Sequence, residues 1–110
     1  MLILKICSAE EWREAEQKGR FDGSEVDLVD GFIHFSTVEQ APETARLYFA
    51  ERDDLVVVAV DPDRIGDDLK WEPSRGGALF PHLYAPLSLE SVAWVRPLPL
   101  APDGQHEFPS

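Results

Sequence analysis

Five polar side chains interrupt strand-like apolar runs: His34 and Ser36 in "DGFIHFST", Glu72 in "LKWEP", and His82 and Tyr84 in "LFPHLYAPL". An imidazole exchanges protons near neutral pH, a hydroxyl donates or accepts a hydrogen bond, and a carboxylate stabilises a developing cation. Successive side chains of a strand face opposite ways, so His34 and Ser36 share one face and Ile33 and Phe35 the other. Each polar residue also has an ordinary structural use. His34 fits a hydrogen-bonded core or rim histidine, and Ser36 fits the end of a strand before a helix cap. Glu72 fits a solvated partner for Lys70 or Arg75, His82 an aromatic plug beside Pro81, and Tyr84 a core ring with its hydroxyl at the rim. Taken together, they point to a shared cleft.

Three chemistries suit such a set. Metal-assisted hydrolysis would use His34, His82 and Glu72, but neither an HxH nor an HExxH spacing is present, so no metal is expected. Nucleophilic catalysis by Ser36 with a histidine lacks the strained GxSxG turn. Glu72 facing an oxocarbenium-like sugar transition state is chemically sound, with His34, Ser36 and Tyr84 as ribose partners. Spacing alone does not choose among them.

The elements that must carry these residues follow from local patterns. Leu2 to Ile6 reads as a strand, and Ser8 with Glu11 forms a capping box for a helix over Ala9 to Lys18 that stops at Gly19. Trp12 and Ala15 mark its inner face. Arg20 to Asp30 has no clean period and reads as an exposed loop. Gly31 opens the FIHFS strand, and Thr37 with Gln40 caps a second helix from about Ala41 to Ala50. Pro42 lies in its first turn, and Ala45, Tyr48 and Phe49 face inward. Leu55 to Val60 is an unbroken β-branched run, as in a central strand buried on both faces. Leu69 to Glu72 is a short strand, "PSRGG" (73–77) a turn, and the Pro81- and Pro86-containing segment an edge or irregular piece. Val92 to Val95 closes the fold. Two helices with five or six strands make an α+β domain over residues 1–98, followed by a flexible tail over 99–110.

Bulk properties set the remaining bounds. A chain of 110 residues with 44% hydrophobic composition suits one core. Ten basic residues against 21 acidic ones leave a net charge of -11, which argues against binding a nucleic-acid backbone. The lone Cys7 cannot form an internal disulfide, and the N-terminus lacks a signal-peptide core, so the cytoplasm is the expected compartment. The apolar run Leu55 to Val60 is too short to span a membrane.

The stretches "DGFIHFSTVEQ", "DLVVVAVD" and "LKWEPSRGGALFPHLYAPL" resemble the family known as domain of unknown function 952, small bacterial proteins, over about Leu2 to Leu98. That family is similar in fold to ADP-ribosyltransferases and NAD-dependent RNA 2'-phosphotransferases, which grip NAD between two small sheets. The resemblance implies a split, strongly curved sheet with Lys5 as the first-strand polar residue, where relatives have histidine in Tyr-His-Ile. It implies His34 and Ser36 on the second strand, Thr37 beside them, and Glu72 as the carboxylate. His82 and Tyr84 match the family's PHxYxPL motif, with Ala85 where relatives have glycine. Under this reading Glu72 and His34 are catalytic, while Lys5, Ser36, Thr37, Arg75, His82 and Tyr84 bind substrate. NAD or an ADP-ribose-like nucleotide would be the substrate, with no resident cofactor. A non-catalytic module binding a nucleotide or a protein is the alternative.

Overall fold

The first capping signals act as written. In the computed structural model, which describes residues 1–109, strand β1 (Ile3–Ser8) runs directly into helix α1 (Ala9–Lys18). The Ser8 hydroxyl accepts the Glu11 N–H at 3.0 Å, and Glu11 Oε1 accepts the Ser8 N–H at 2.9 Å. These reciprocal bonds satisfy two donors that a helix start leaves open. Gly19 then ends the helix in the left-handed conformation.

The segment expected to be a loop is instead structured. Arg20–Phe21 forms β2 and Glu25–Asp30 forms helix α2, so the described residues hold three α-helices rather than two. The expected FIHFS strand is also divided. Ile33–His34 (β3) and Ser36–Thr37 (β4) lie in different sheets, with the buried Phe35 at the crossing. Helix α3 (Ala41–Tyr48) carries Pro42 in its first turn and buries Ala41 and Ala45. Tyr48, expected in the core, is exposed.

The remaining strands are β5 (Leu55–Val60), β6 (Leu69–Pro73), β7 (Leu79–Leu83), β8 (Leu87–Ser88) and β9 (Val92–Pro97). They assemble, all antiparallel, into sheets ordered β4-β1-β5-β9, β2-β8 and β3-β7-β6. Among the described residues, nine strands in three sheets stand where five or six strands in one split sheet were expected. The β5 strand is central and largely buried, as its β-branched sequence requires. The β7 strand is central as well, although Pro81 marked it for an edge. The Pro81 carbonyl faces the β3 side and accepts the Phe35 N–H at 3.0 Å. The N–H that proline lacks would face the same side, where β3 has ended and the chain is leaving for β4.

Both faces of the four-stranded sheet are covered. Ile3, Cys7, Val58 and Val60 pack with Trp12, Phe21, Phe35, Ile33, Leu83 and Leu87, joining this sheet to the three-stranded one. On the other face Leu4, Val57 and Ala59 meet Ala41, while Ile6 and Leu55 meet Ala45 and Leu98. Each fully buried branched side chain contributes about 1.5–3 kcal/mol relative to exposure. The segment after Leu98, expected to be a loose tail, returns to this second face. Leu100 bridges His106, His106 Nε2 lies 2.7 Å from the Arg52 carbonyl, and Phe108 packs against both apolar clusters. Among the described residues no helix is long and apolar enough to cross a membrane.

Candidate functional site

The crossing at Phe35 opens a cleft between two sheets. β4 pairs with β1 only at Ile3 and Leu4, after which the preceding residues, Ile33 and His34, pair with β7 instead. The two sheets part there, and a cleft of about 510 Å³ opens beside Lys5, His34, Ser36, Thr44, Tyr48, Arg75, Phe80 and His82. That volume lies in the range of about 300–1,000 Å³ usual for small-molecule sites.

Behind the wall formed by Lys5, Asp30 and His34 stands an ionic node that the sequence did not announce. Asp27 on α2 is 1% exposed, and its Oδ2 lies 2.7 Å from Lys5 Nζ, itself on a buried residue. The same carboxylate accepts the Ser24 N–H and hydroxyl and the His34 N–H, and its Oδ1 lies 2.6 Å from His34 Nδ1. Burial pushes the Asp27 carboxyl up, but the hydrogen bond from His34 and the charge of Lys5 more than reverse this, holding it well below the ordinary aspartate range. His34 Nε2 lies 3.0 Å from Asp30 Oδ2. A carboxylate oxygen thus faces each nitrogen of the His34 ring. Lys5 and His34 therefore reach the cleft already held by carboxylates, Lys5 by Asp27 and His34 by Asp27 and Asp30.

A second cluster stands on the three-stranded sheet. The register β3-β7-β6 puts His34, Phe80, His82 and Glu72 on one face, opposite the core side that carries Ile33, Leu83 and Leu69. Glu72 Oε1 accepts the Tyr84 hydroxyl at 2.6 Å and lies 2.8 Å from His82 Nδ1. These bonds, Tyr84's first, lower the Glu72 pKa, and the bond to Glu72 raises that of Tyr84. Phe32 stacks on His82 with ring centroids 4.2 Å apart and planes inclined by 28°, and also contacts the rings of His34 and Tyr84.

Arg75 supplies the opposite wall. The turn joining β6 to β7 needs left-handed backbone at Gly76 and Gly77 (φ 68° and 79°), which glycine adopts without strain. This tight return points Arg75 over α3. Its guanidinium lies 4.8 Å from the Phe80 ring centroid and 5.8 Å from that of Tyr48, within cation–π range. Its Nη2 is 3.3 Å from Thr44 Oγ1, which is 3.0 Å from Ser36 Oγ. Glu43 is its nearest carboxylate, at 3.9 Å.

Of the residues singled out from sequence, Lys5, His34, Ser36, Arg75 and His82 line the cleft. Glu72 and Tyr84 join it indirectly, through His82. Thr37 does not line it: its hydroxyl accepts the Gln40 N–H, and its own N–H donates to Gln40 Oε1, in a cap-like pair. Sequence reasoning missed Asp27, Asp30, Thr44 and the site roles of Tyr48 and Phe80. For Asp27 a signal existed, because Ser24-Glu-Val-Asp27 has capping-box spacing and Gly31 is a stop. Cys7 takes no part in this chemistry: burial pushes its thiol up to about 12.

The family model described as "Protein of unknown function (DUF952)" matches residues 6–95. The crystal structure of CC0527 from Caulobacter crescentus is 52% identical, with a TM-score of 0.93 over 97% of this chain and 94% of that one. Its solution NMR structure is 54% identical, with a TM-score of 0.85 over 94% and 90% of the two chains. No curated protein matches the chain. The family match covers most of the sequence, including the motifs that build the cleft, and the chain belongs to the DUF952 family.

Proposed function

We propose that the cleft binds a small nucleotide-like ligand of the ADP-ribose or NAD type, on a fold related to the ADP-ribosyltransferases. The observation that carries this reading is the placement of Arg75 over Phe80 and Tyr48, beside the Thr44 and Ser36 hydroxyls. A planar guanidinium matches phosphate oxygens in a bidentate manner. The exposed Tyr48 ring suits a base, and paired hydroxyls suit a ribose. The ligand would be free substrate or signal, not a resident cofactor.

Binding without turnover is the form the geometry favours. Lys5, at the position where the resemblance calls for a ribose-binding histidine, spends its ammonium on buried Asp27. Glu72 is turned toward His82 and Tyr84. Transfer chemistry is a second reading, favoured by the hydrogen bonds that keep the Glu72 carboxylate ionised. Thermal melting with NAD, ADP-ribose and adenosine tests binding, and release of nicotinamide from NAD tests turnover. Stabilisation by both diphosphates but not by adenosine, without nicotinamide release, is the expected result. Equal melting curves with and without millimolar nucleotide would defeat the proposal. Steady nicotinamide release that Glu72→Gln abolishes would establish the second reading.

A further inference from the structure

We propose that the Glu72 carboxylate fixes the tautomer of His82, so that Nε2 is presented to the cleft as the hydrogen-bond acceptor for a hydroxyl of bound ligand or of water. The inference rests on the reading of the cleft as a ligand site, and it assigns that site a directional hydrogen-bond acceptor.

His82 is the one histidine at the cleft with a nitrogen to spare. His34 has a carboxylate at each ring nitrogen, and His106 lies on the Arg52 carbonyl, away from the cleft-lining residues. The His82 side chain is 6% exposed, lines the cleft, and places Nδ1 2.8 Å from Glu72 Oε1. Among the described residues no hydrogen-bond partner meets its Nε2. An ionised carboxylate only accepts, so Nδ1 must carry the hydrogen, and a neutral ring then has its lone pair at Nε2.

The surroundings hold that arrangement. Phe32 covers one face of the ring and sets its plane. The Tyr84 hydroxyl donates to the same Glu72 oxygen that His82 uses, which keeps the carboxylate oriented and ionised. The other titratable groups that face the ring from packed elements are His34, edge-on at 5.6 Å, and Lys70, its register partner on β6. When a hydroxyl binds, it keeps its O–H bond and donates it as a hydrogen bond to the Nε2 lone pair. Glu72 is thus a positioning residue that acts through His82, which is the reason it need not line the cleft itself.

Long-range proton–nitrogen NMR of the full chain reads this directly. The unliganded protein should give a pyrrole-type Nδ1 and a pyridine-type Nε2 at His82. Glu72→Gln should lose that fixed signature and give averaged ring signals, because an amide can turn either its oxygen or its NH₂ toward Nδ1. Tyr84→Phe keeps the carboxylate and should retain the signature, which separates loss of charge from loss of fold. Adding ADP-ribose should move the Nε2 signal toward the pyrrole type. A wild-type ring protonated at Nε2, or a Glu72→Gln ring with the wild-type signature, would overturn the inference. It would also fall if ADP-ribose moved the Ser36 and Arg75 signals and left Nε2 unchanged. Nucleotide that moves no cleft signal defeats the ligand reading instead, and takes the ligand-hydroxyl half of the inference with it.

Discussion

At Asp27 a buried charge is tolerated because Lys5, His34 and Ser24 converge on it. Removing the carboxylate charge leaves the Lys5 ammonium buried without a counter-charge, a situation that costs about 3–5 kcal/mol. Asp27→Asn should therefore lower the melting temperature by more than ~10 °C. A Lys5→Met, Asp27→Asn double variant should recover part of that loss, since neither charge then remains. The same node sets the acid limb of stability. The folded-state pKa of Asp27 lies below its ordinary value of 3.8, so its stabilisation is complete above that value. It is lost as pH falls toward the lowered folded pKa, because the unfolded chain takes up the proton first. Denaturant titrations between neutral pH and strong acid should show a shallower acid loss in Asp27→Asn than in the wild type. Cys7 offers a contrasting check. It is 1% exposed with its thiol pushed up to about 12, so a thiol reagent should label it only after the protein is unfolded.

Helix α2 is the element that sequence patterning describes worst, and the reason is physical. Its Asp27 faces inward while Val26, Leu28 and Val29 are exposed, the inverse of an amphipathic surface helix. Periodicity reasoning looks for apolar side chains on the buried face and finds none here. The helix docks through ion pairs, and only its capping spacing and Gly31 betray it. In contrast, α1, β1 and β5 were legible because capping, β-branching and burial all agree there. The FIHFS run was read as one strand because its alternation is real; nothing local says that Phe35 changes sheets. Gly23 makes α2 testable. A Cβ at this position (φ 117°) would come within 2.8 Å of Asp27 Cβ, so Gly23→Ala should destabilise more than Gly104→Ala, whose added methyl meets nothing within 4 Å. Equal melting temperatures for the two variants would contradict the packing described. The C-terminal segment gives a similar test. Phe108 is partly buried against two apolar clusters, so Phe108→Ala should cost about 1–2 kcal/mol, near ~5–10 °C in melting temperature.

For the whole molecule, the decisive feature is that the chain changes sheets at Phe35 and leaves a cleft between them. The polar residues on separated strands were legible as a set, and five of the eight singled out line that cleft. Their division of labour was not legible, because it depends on Asp27 arriving from a helix with no apolar signature. The overall charge of -11 works against an anionic ligand at long range, so the proposed recognition rests on the Arg75 contact within the cleft. The most direct test is calorimetric titration of ADP-ribose into the wild type and Arg75→Met, which keeps much of the side chain's apolar packing but removes the guanidinium. Charge-assisted hydrogen bonds contribute about 1.5–3 kcal/mol, so affinity should fall roughly 10- to 100-fold in the variant. Undiminished binding by Arg75→Met, or no binding by a folded wild type at millimolar nucleotide, would contradict the account.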